Sequence, residues 1–532
     1  MERRRRRRWW PWVLLAGVAA CAATLVALVR VLPLSSEAMR RQIVETLSSR
    51  LDADVQLADV QLQLFPRIRA AGHDLVVRKR SLSGRPPLIH IASFAVEGDI
   101  RGMLRRHVAH VTLDGLNIEI PPSDRDDSDA ADAPDARQAD RPLRNDGIGR
   151  GVIIDTLDST NASLVLVPRE RDKTPKTWAI HTLRMHGVGV DQAMPFDATL
   201  TNAIPPGEIQ TTGSFGPWQP DDPGRTPLNG AFTFARADLS VFHGISGILS
   251  AHGRFGGTLA VIDINGETET PDFTIRAGNH PFALHTTYHS VVNGTNGNTY
   301  LKRIDGAFLH TTLVASGDVV ETRNGVHGRT VALDVDMSQS RIEDILRMVM
   351  KGNQPLMVGG LALKTKFLLP PGELDVVDRL RLDGRFSMAK VRFTNIDVQG
   401  KIDELSHRSR GMRSGASAES AVSNFRGRFR LDRSRITLPS LTFDTPGTRV
   451  ELAGAFGLKA ETLDFTGALL MDAKISETQT GFKRLILKAV DPLFKREGGG
   501  SEVPIKIAGT VGAPKFGLDA HRLFHRGKST KK

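Results

Sequence analysis

A short pattern, Gly followed two residues later by Phe, recurs inside runs that alternate between apolar and polar side chains. In the clearest run, residues 425–432 (FRGRFRLD), glycine and apolar residues hold the odd positions and charged residues hold the even ones. This period of two predicts strands with one buried and one solvated face. The unequal spacing of the repeats favours a long antiparallel meander over a propeller or solenoid. The pattern occurs at Gly213/Phe215, Gly230/Phe232, Gly253/Phe255, Gly306/Phe308, Gly384/Phe386, Gly427/Phe429 and Gly454/Phe456.

Other segments support a mainly β chain with few helices. Alternation at 60–64 ends at Phe65-Pro66, and strand-like runs follow at 75–77, 88–96 and 108–120. Asn-Gly pairs at 293–294, 296–297 and 324–325 predict hairpin turns. Helical spacing predicts one helix after Ser35 and Ser36, a second capped by Ser340, and a third that begins at Ser476. These two later helices are interpreted as covers for the core or as plugs for an apolar sheet face.

The amino-terminal segment has the pattern of a membrane anchor. Six arginines, Arg3 to Arg8, precede an uncharged apolar stretch that would span about 31 Å as a helix, close to the thickness of a bilayer core. Arginine-rich flanks stay in the cytoplasm, so we expect a transmembrane helix at 9–32 and an exported remainder. The residues expected to anchor it are Trp9, Trp10, Trp12, Leu14, Leu15, Leu25 and Leu28.

Two alternatives to this anchor stay open. The first is a signal peptide that is cleaved, and the second is a lipoprotein box at Val18–Cys21 with acylation of Cys21. Both normally lead into polar sequence, whereas the apolar stretch here continues to Leu34. The pattern therefore favours a plain transmembrane helix over either alternative.

The distribution of charge bears on nucleic-acid binding, and the single cysteine bears on disulfide formation. The net charge of +12 is concentrated at the ends, because residues 1–8 and residues 521–532 contribute +5 each. The body between them is nearly neutral, which argues against nucleic-acid binding, because that function requires a basic face. A chain with one cysteine forms no internal disulfide, so burial and backbone pairing must stabilise the exported part.

Composition divides the chain into seven predicted regions. An aspartate-rich segment predicts a disordered linker, and it lacks the glycine and spacing of a calcium-binding loop. A second flexible insert is predicted at 408–420, which is rich in Ser, Gly and Arg. The regions are a basic end (1–8), the transmembrane helix (9–32), an amino-terminal region (33–120), the acidic linker (121–150), a middle β region (151–379), a carboxy-terminal region (380–520) and a basic tail (521–532).

The chain carries no recognised catalytic motif. A His-Glu-x-x-His helix, a phosphate-binding glycine loop and a dinucleotide fingerprint are all missing from the sequence. Ser246 does not form the Gly-x-Ser-x-Gly motif of a nucleophile elbow, because Ile248 occupies the position of the second glycine. Histidine pairs such as His181 with His186 have too weak a spacing to indicate a metal site. We therefore expect a protein without enzymatic activity, cofactor or metal.

Both ends of the exported part resemble the AsmA family. The motifs are VQLADV at 55–60 leading into Leu64-Phe65-Pro66, the strand pair around 87–91 and 108–116, and the run from Gly427 through 463–467 to VPIKIAGT at 503–510. The resemblance covers about residues 9–120 and 380–520, and the acidic linker and the basic tail depart from it. It implies a protein anchored in the inner membrane of a Gram-negative envelope, β-rich and periplasmic, related to bridge-like lipid transfer proteins and acting in outer-membrane lipid homeostasis.

The expected fold is an elongated, twisted antiparallel sheet, groove-like or sandwich-like, with a few helices and one amino-terminal transmembrane helix. An apolar sheet face must be covered by a second sheet, by helices or by a ligand. If phospholipid or another acyl lipid is the partner, the lining candidates are Phe386, Phe429, Leu431, Phe456 and Phe465. The alternative is a structural or assembly scaffold of the periplasm, with closed β cores and with other envelope proteins as its partners.

Overall fold

A computed structural model describes most of the chain from Ser36 onward. The described residues are 36–51, 53–63, 67–79, 87–99, 102, 105, 107–120, 153–167, 175–189, 191–219, 222–322, 328–352, 354–394, 423–445, 448–471 and 501–519. The predicted transmembrane helix, Cys21, the acidic linker, the insert at 408–420, the helix beginning at Ser476 and the basic tail lie outside them. None of the helices in the described part has the length and apolar composition of a membrane-spanning segment.

Strands make up 72% of the described residues, which confirms the prediction of a mainly β chain with few helices. The helices are α1 (Ser36–Leu51), α2 (Ile342–Val349) and α3 (Val376–Arg379). The first twelve strands are β1 (Ala53–Gln63), β2 (Ile68–Lys79), β3 (Ile89–Gly98), β4 (His107–Ile120), β5 (Ile153–Leu166), β6 (Lys176–Val188), β7 (Met194–Thr201), β8 (Glu208–Phe215), β9 (Pro227–Asp238), β10 (Ile245–Ser246), β11 (Ile248–Thr258) and β12 (Val261–Ile275). The remaining strands are β13 (Phe282–Val292), β14 (Thr299–Phe308), β15 (Thr311–Glu321), β16 (Arg329–Arg341), β17 (Met357–Leu369), β18 (Arg381–Phe393), β19 (Ser423–Asp432), β20 (Arg435–Thr445), β21 (Thr448–Gly457), β22 (Thr462–Met471), β23 (Ser501–Thr510) and β24 (Ala513–Leu518).

The chain divides into two compact units. The first comprises Met1–Ala237, Ser250–Gly266 and Val292–Gly297, and the second comprises Asp238–Leu249, Glu267–Val291 and Asn298–Lys532. The seven regions expected from composition remain predictions.

The core of the first unit lies between α1 and the strands that follow it. Ile43 and Leu47 are one turn apart on α1, and both are 1% exposed. They join a buried cluster that includes Val55 and Leu57 of β1, where buried and exposed residues alternate. The helix therefore covers the apolar side of the first strands, as a short amphipathic helix next to alternating strands predicts.

One strand pair departs from the antiparallel meander that the sequence predicts. β4 and β5 pair in parallel, with Val108 opposite Ile154 and Leu113 opposite Ser159. A parallel pair needs a crossover of a dozen or more residues, and the acidic segment at 121–150 supplies that length. Sequence periodicity missed this pairing because alternation is the same in parallel and antiparallel strands.

In the second unit, strands β14 to β24 pair antiparallel in chain order. This confirms antiparallel pairing for the carboxy-terminal part. The predicted turn at Asn296-Gly297 lies in the segment Val292–Gly297 of the first unit, where the amide of Gly297 donates to the carbonyl of Asn293. The predicted cap of α2 differs from the structure: the N-cap residue is Arg341, and the hydroxyl of Ser340 donates to the carbonyl of Thr312, 3.0 Å away.

Candidate functional site: an apolar face across seven strands

Strands β17 to β23 carry a continuous surface of apolar side chains on one side of the sheet, which we call the apolar face. Because paired residues of neighbouring strands point to the same side of a sheet, their register assembles four rows that cross all seven strands. A β-bulge in β20 shifts the register with both β19 and β21, so Phe429 and Leu438 of the third row are neighbours without being direct register partners. The rows are Leu361–Met388–Phe425–Phe443–Val450–Leu469–Val503, Leu363–Phe386–Gly427–Leu441–Leu452–Gly467–Ile505, Thr365–Gly384–Phe429–Leu438–Gly454–Phe465–Ile507 and Phe367–Leu382–Leu431–Ile436–Phe456–Leu463–Gly509.

The register explains the recurring Gly-x-Phe pattern. Glycine and phenylalanine two residues apart share a face, so a Phe of one strand can lie opposite a Gly of the next. Phe386 lies opposite Gly427, and Phe465 lies opposite Gly454. A Cβ at Gly454 would lie 2.7 Å from Cδ1 of Phe465, and one at Gly427 would lie 3.2 Å from Cε1 of Phe386. The glycines thus leave room for rings that lie across the neighbouring strand.

All five lining candidates lie on the apolar face, but they differ in exposure. Phe429, Leu431 and Phe465 are 8%, 4% and 7% exposed. Phe386 and Phe456 are half-buried. The cluster around Phe429, Leu438 and Phe465 contains, within the described residues, only side chains of β17 to β23. These side chains pack against their neighbours on one face of one sheet.

The apolar face continues beyond these rows to β24. Phe516 pairs with Ile507, and Leu518 pairs with Ile505, so both residues point to the same side as the rows. Each of these two side chains is 58% exposed, in contrast to the buried middle of the face. The apolar surface therefore reaches solvent at β24.

Helix α2 covers one end of the apolar face. Its residues Ile342 and Ile345 pack against the cluster formed by Leu361, Met388 and Phe425. The two isoleucines add apolar contact at the first row of the face. In the portion of the chain that the structure describes, the cluster in the other three rows contains only residues of the sheet. Sequence analysis predicted this helix either as a cover for the core or as a plug for an apolar sheet face, and the structure places it against one end of that face.

Two carboxylates hold α2 in place. Asp344 is 3% exposed and accepts hydrogen bonds from the hydroxyl of Thr311 at 2.8 Å and the amide of His310 at 2.9 Å. Glu343 accepts from the amide of Gly359 at 3.0 Å. Burial raises the pKa of Glu343, but this amide bond and the neighbouring Arg341 outweigh it, so the pKa is lowered overall. Sequence reasoning missed both residues, although acidic side chains in the first turn of a helix are a recognisable signal.

The opposite face of the same strands is polar and contains several ion pairs. Arg430 contacts Asp383 at 2.8 Å, and Lys366 contacts Asp334 at 2.9 Å. At one end of these strands, hydrogen bonds from Lys459 and Ser434 lower the pKa of Asp378 of α3. The sheet thus separates a charged face from an uncharged one, as the alternation predicts.

The apolar face can hold ligands through burial alone. Its rows contain no ionisable side chain, and Thr365 is their one polar residue. Each methylene that such a surface removes from water contributes about 0.8 kcal/mol without any directional bond. The arrangement suits a flexible hydrocarbon chain. No protein-family model, curated protein or solved structure matches this chain.

Proposed function

We propose that this chain is a lipid-handling protein, anchored in the inner membrane of a Gram-negative envelope and exposed to the periplasm. Its apolar face binds the acyl chains of phospholipid or of another acyl lipid, and it contributes to outer-membrane lipid homeostasis or assembly without catalysing a reaction. The observation that carries the proposal is the set of four apolar rows across β17 to β23. The arginine run beside the uncharged apolar stretch 9–29 supports the anchor and its orientation.

The geometry of the face fits an extended acyl chain. Neighbouring strands lie about 4.8 Å apart, so a row across seven strands has a length of about 29 Å. An extended chain of sixteen to eighteen carbons is about 20 Å long at roughly 1.25 Å per methylene, so one row accommodates a tail whose methylenes each contribute about 0.8 kcal/mol when buried. The exposed residues Phe516 and Leu518 continue this surface to solvent at β24. That continuation supports entry or exit of lipid at this strand. The AsmA resemblance of both ends of the chain points to the same class of function.

The second candidate is a periplasmic scaffold with closed β cores. Exposures of 8%, 4% and 7% at Phe429, Leu431 and Phe465 are also what a sealed core gives. The half-buried Phe386 and Phe456 favour the lipid-handling alternative, because a sealed core would bury these large rings as well.

Native mass spectrometry of the full chain, released from mild detergent, tests the proposal. We expect adducts with the masses of phospholipids or fatty acids that survive removal of the detergent. A matched control carries residues 1–35 fused to an unrelated soluble domain, and it reports lipid held by the predicted anchor alone. A folded full chain that carries no more lipid than this control would favour the scaffold.

A further inference from the structure

The polar face of β17 to β20 contains two like-charged cross-strand pairs, and both include Arg385. In the first pair, Lys364 of β17 lies opposite Arg385, but this lysine forms an ion pair with Asp336 at 2.5 Å. Arg385 of β18 and Arg428 of β19 are direct cross-strand partners, and both are exposed. Like charges directly opposite each other destabilise a sheet, because their side chains leave the backbone about 5 Å apart. The same row continues to Ser440 on β20, which lies opposite Arg428. Two guanidinium groups and a hydroxyl are thus brought side by side on three neighbouring strands.

The basic residues around this pair have carboxylate partners. Arg430 contacts Asp383 at 2.8 Å, and Arg426 contacts Asp444 at 3.3 Å. In the part of the chain that the structure describes, neither Arg385 nor Arg428 forms an ion pair or a side-chain hydrogen bond. The basic neighbours that are paired are Lys364, Lys366, Arg381, Arg426 and Arg430.

We propose that Arg385 and Arg428 form a binding site for a phosphate group, with Ser440 as a further donor. A guanidinium presents N–H groups in a planar fork that matches phosphate oxygens, and two forks can share one phosphate. A bound dianion attracts both guanidinium groups, and these two attractions offset the repulsion between the arginines. The site lies on the face opposite the apolar rows, so it does not rest on the proposed function. Its ligand is either a soluble phosphate ester or the headgroup of a phosphorylated lipid.

Thermal unfolding of the full chain in detergent, titrated with phosphate at constant ionic strength, tests this site. We expect inorganic phosphate to raise the Tm by about 3 °C once its concentration exceeds the dissociation constant about tenfold. The rise should disappear in Arg428→Gln and in Arg385→Gln. It should persist in Arg430→Gln, which removes the same charge from the same face at an arginine that already has a carboxylate partner.

Two further probes separate the sources of the phosphate. Glycerol 3-phosphate carries the headgroup without tails, and dihexanoyl phosphatidic acid carries the same group with short acyl chains. An equal Tm rise with both would support the site and assign it to soluble phosphate esters, whereas a larger rise with the lipid, lost in Arg428→Gln, would support it and assign it to a headgroup. No rise with any probe, or the same rise in wild type and in both single variants, would overturn the proposal.

Discussion

Replacing Phe386 by Asp should reduce the acyl lipid bound to the protein by about a hundredfold while the chain stays folded. Phe386 is half-buried in the second apolar row, with its ring over Gly427. A carboxylate at this position would face the hydrocarbon of a bound tail, and burying it without a partner would cost several kcal/mol. The side chain keeps access to solvent when lipid is absent, so the empty protein tolerates the charge. Native mass spectrometry measures the bound lipid, and circular dichroism measures the fold.

The matched control is Ser387→Asp. Ser387 is the next residue of β18 and is exposed on the polar face, so this variant adds the same charge a few ångströms away. We expect it to keep the lipid content and the Tm of the wild type. Unfolding of Phe386→Asp would indicate that the ring belongs to a sealed core, and a lipid content equal to that of Ser387→Asp would contradict binding on this face.

Replacing Asp344 by Ala should lower the free energy of unfolding of the second unit by about 3–5 kcal/mol. Asp344 is buried, and its carboxylate accepts from the hydroxyl of Thr311 and the amide of His310. Its removal would leave the buried hydroxyl of Thr311 and the amide of His310 without this acceptor, and it would release α2 from the turn between β14 and β15. Chemical denaturation followed by circular dichroism measures the loss.

Asp336→Ala is the control for this change. Asp336 lies on β16, its side chain is 42% exposed, and it contacts Lys364 on the surface. An exposed ion pair contributes about 1 kcal/mol or less, so we expect a small effect. Asp344→Asn keeps an acceptor oxygen and should recover part of the stability. Equal losses for Asp336→Ala and Asp344→Ala would show that the buried bonds do not hold the helix.

Strand content could be predicted from the sequence because alternation is a local signal. The run 425–432 is β19 in the structure, and its odd residues lie on the apolar face as expected. The Gly-x-Phe pattern was also visible, but its meaning depends on register. Phe386 lies opposite Gly427 because β18 pairs with β19, and the 394–422 segment separates these strands in the sequence, so no local pattern encodes this pairing.

The site was predictable only in its composition. The five lining candidates share one face, whereas their different burial depends on neighbours that are far apart in sequence. The parallel pair of β4 with β5, the anchoring role of Asp344 and the pairing of Arg385 with Arg428 are likewise long-range features. Periodicity reports which face a residue occupies, and it carries no information on what lies opposite.

The most direct test of acyl-chain binding on the apolar face is photo-crosslinking in intact cells. A photoreactive phenylalanine analogue is placed at position 386 in one full-length chain and at position 387 in another, and the irradiated proteins are analysed for covalent lipid. These positions are neighbours on opposite faces of β18. We expect lipid adducts at position 386 and background levels at position 387. Equal labelling at both positions, or no lipid adduct at position 386, would contradict the account.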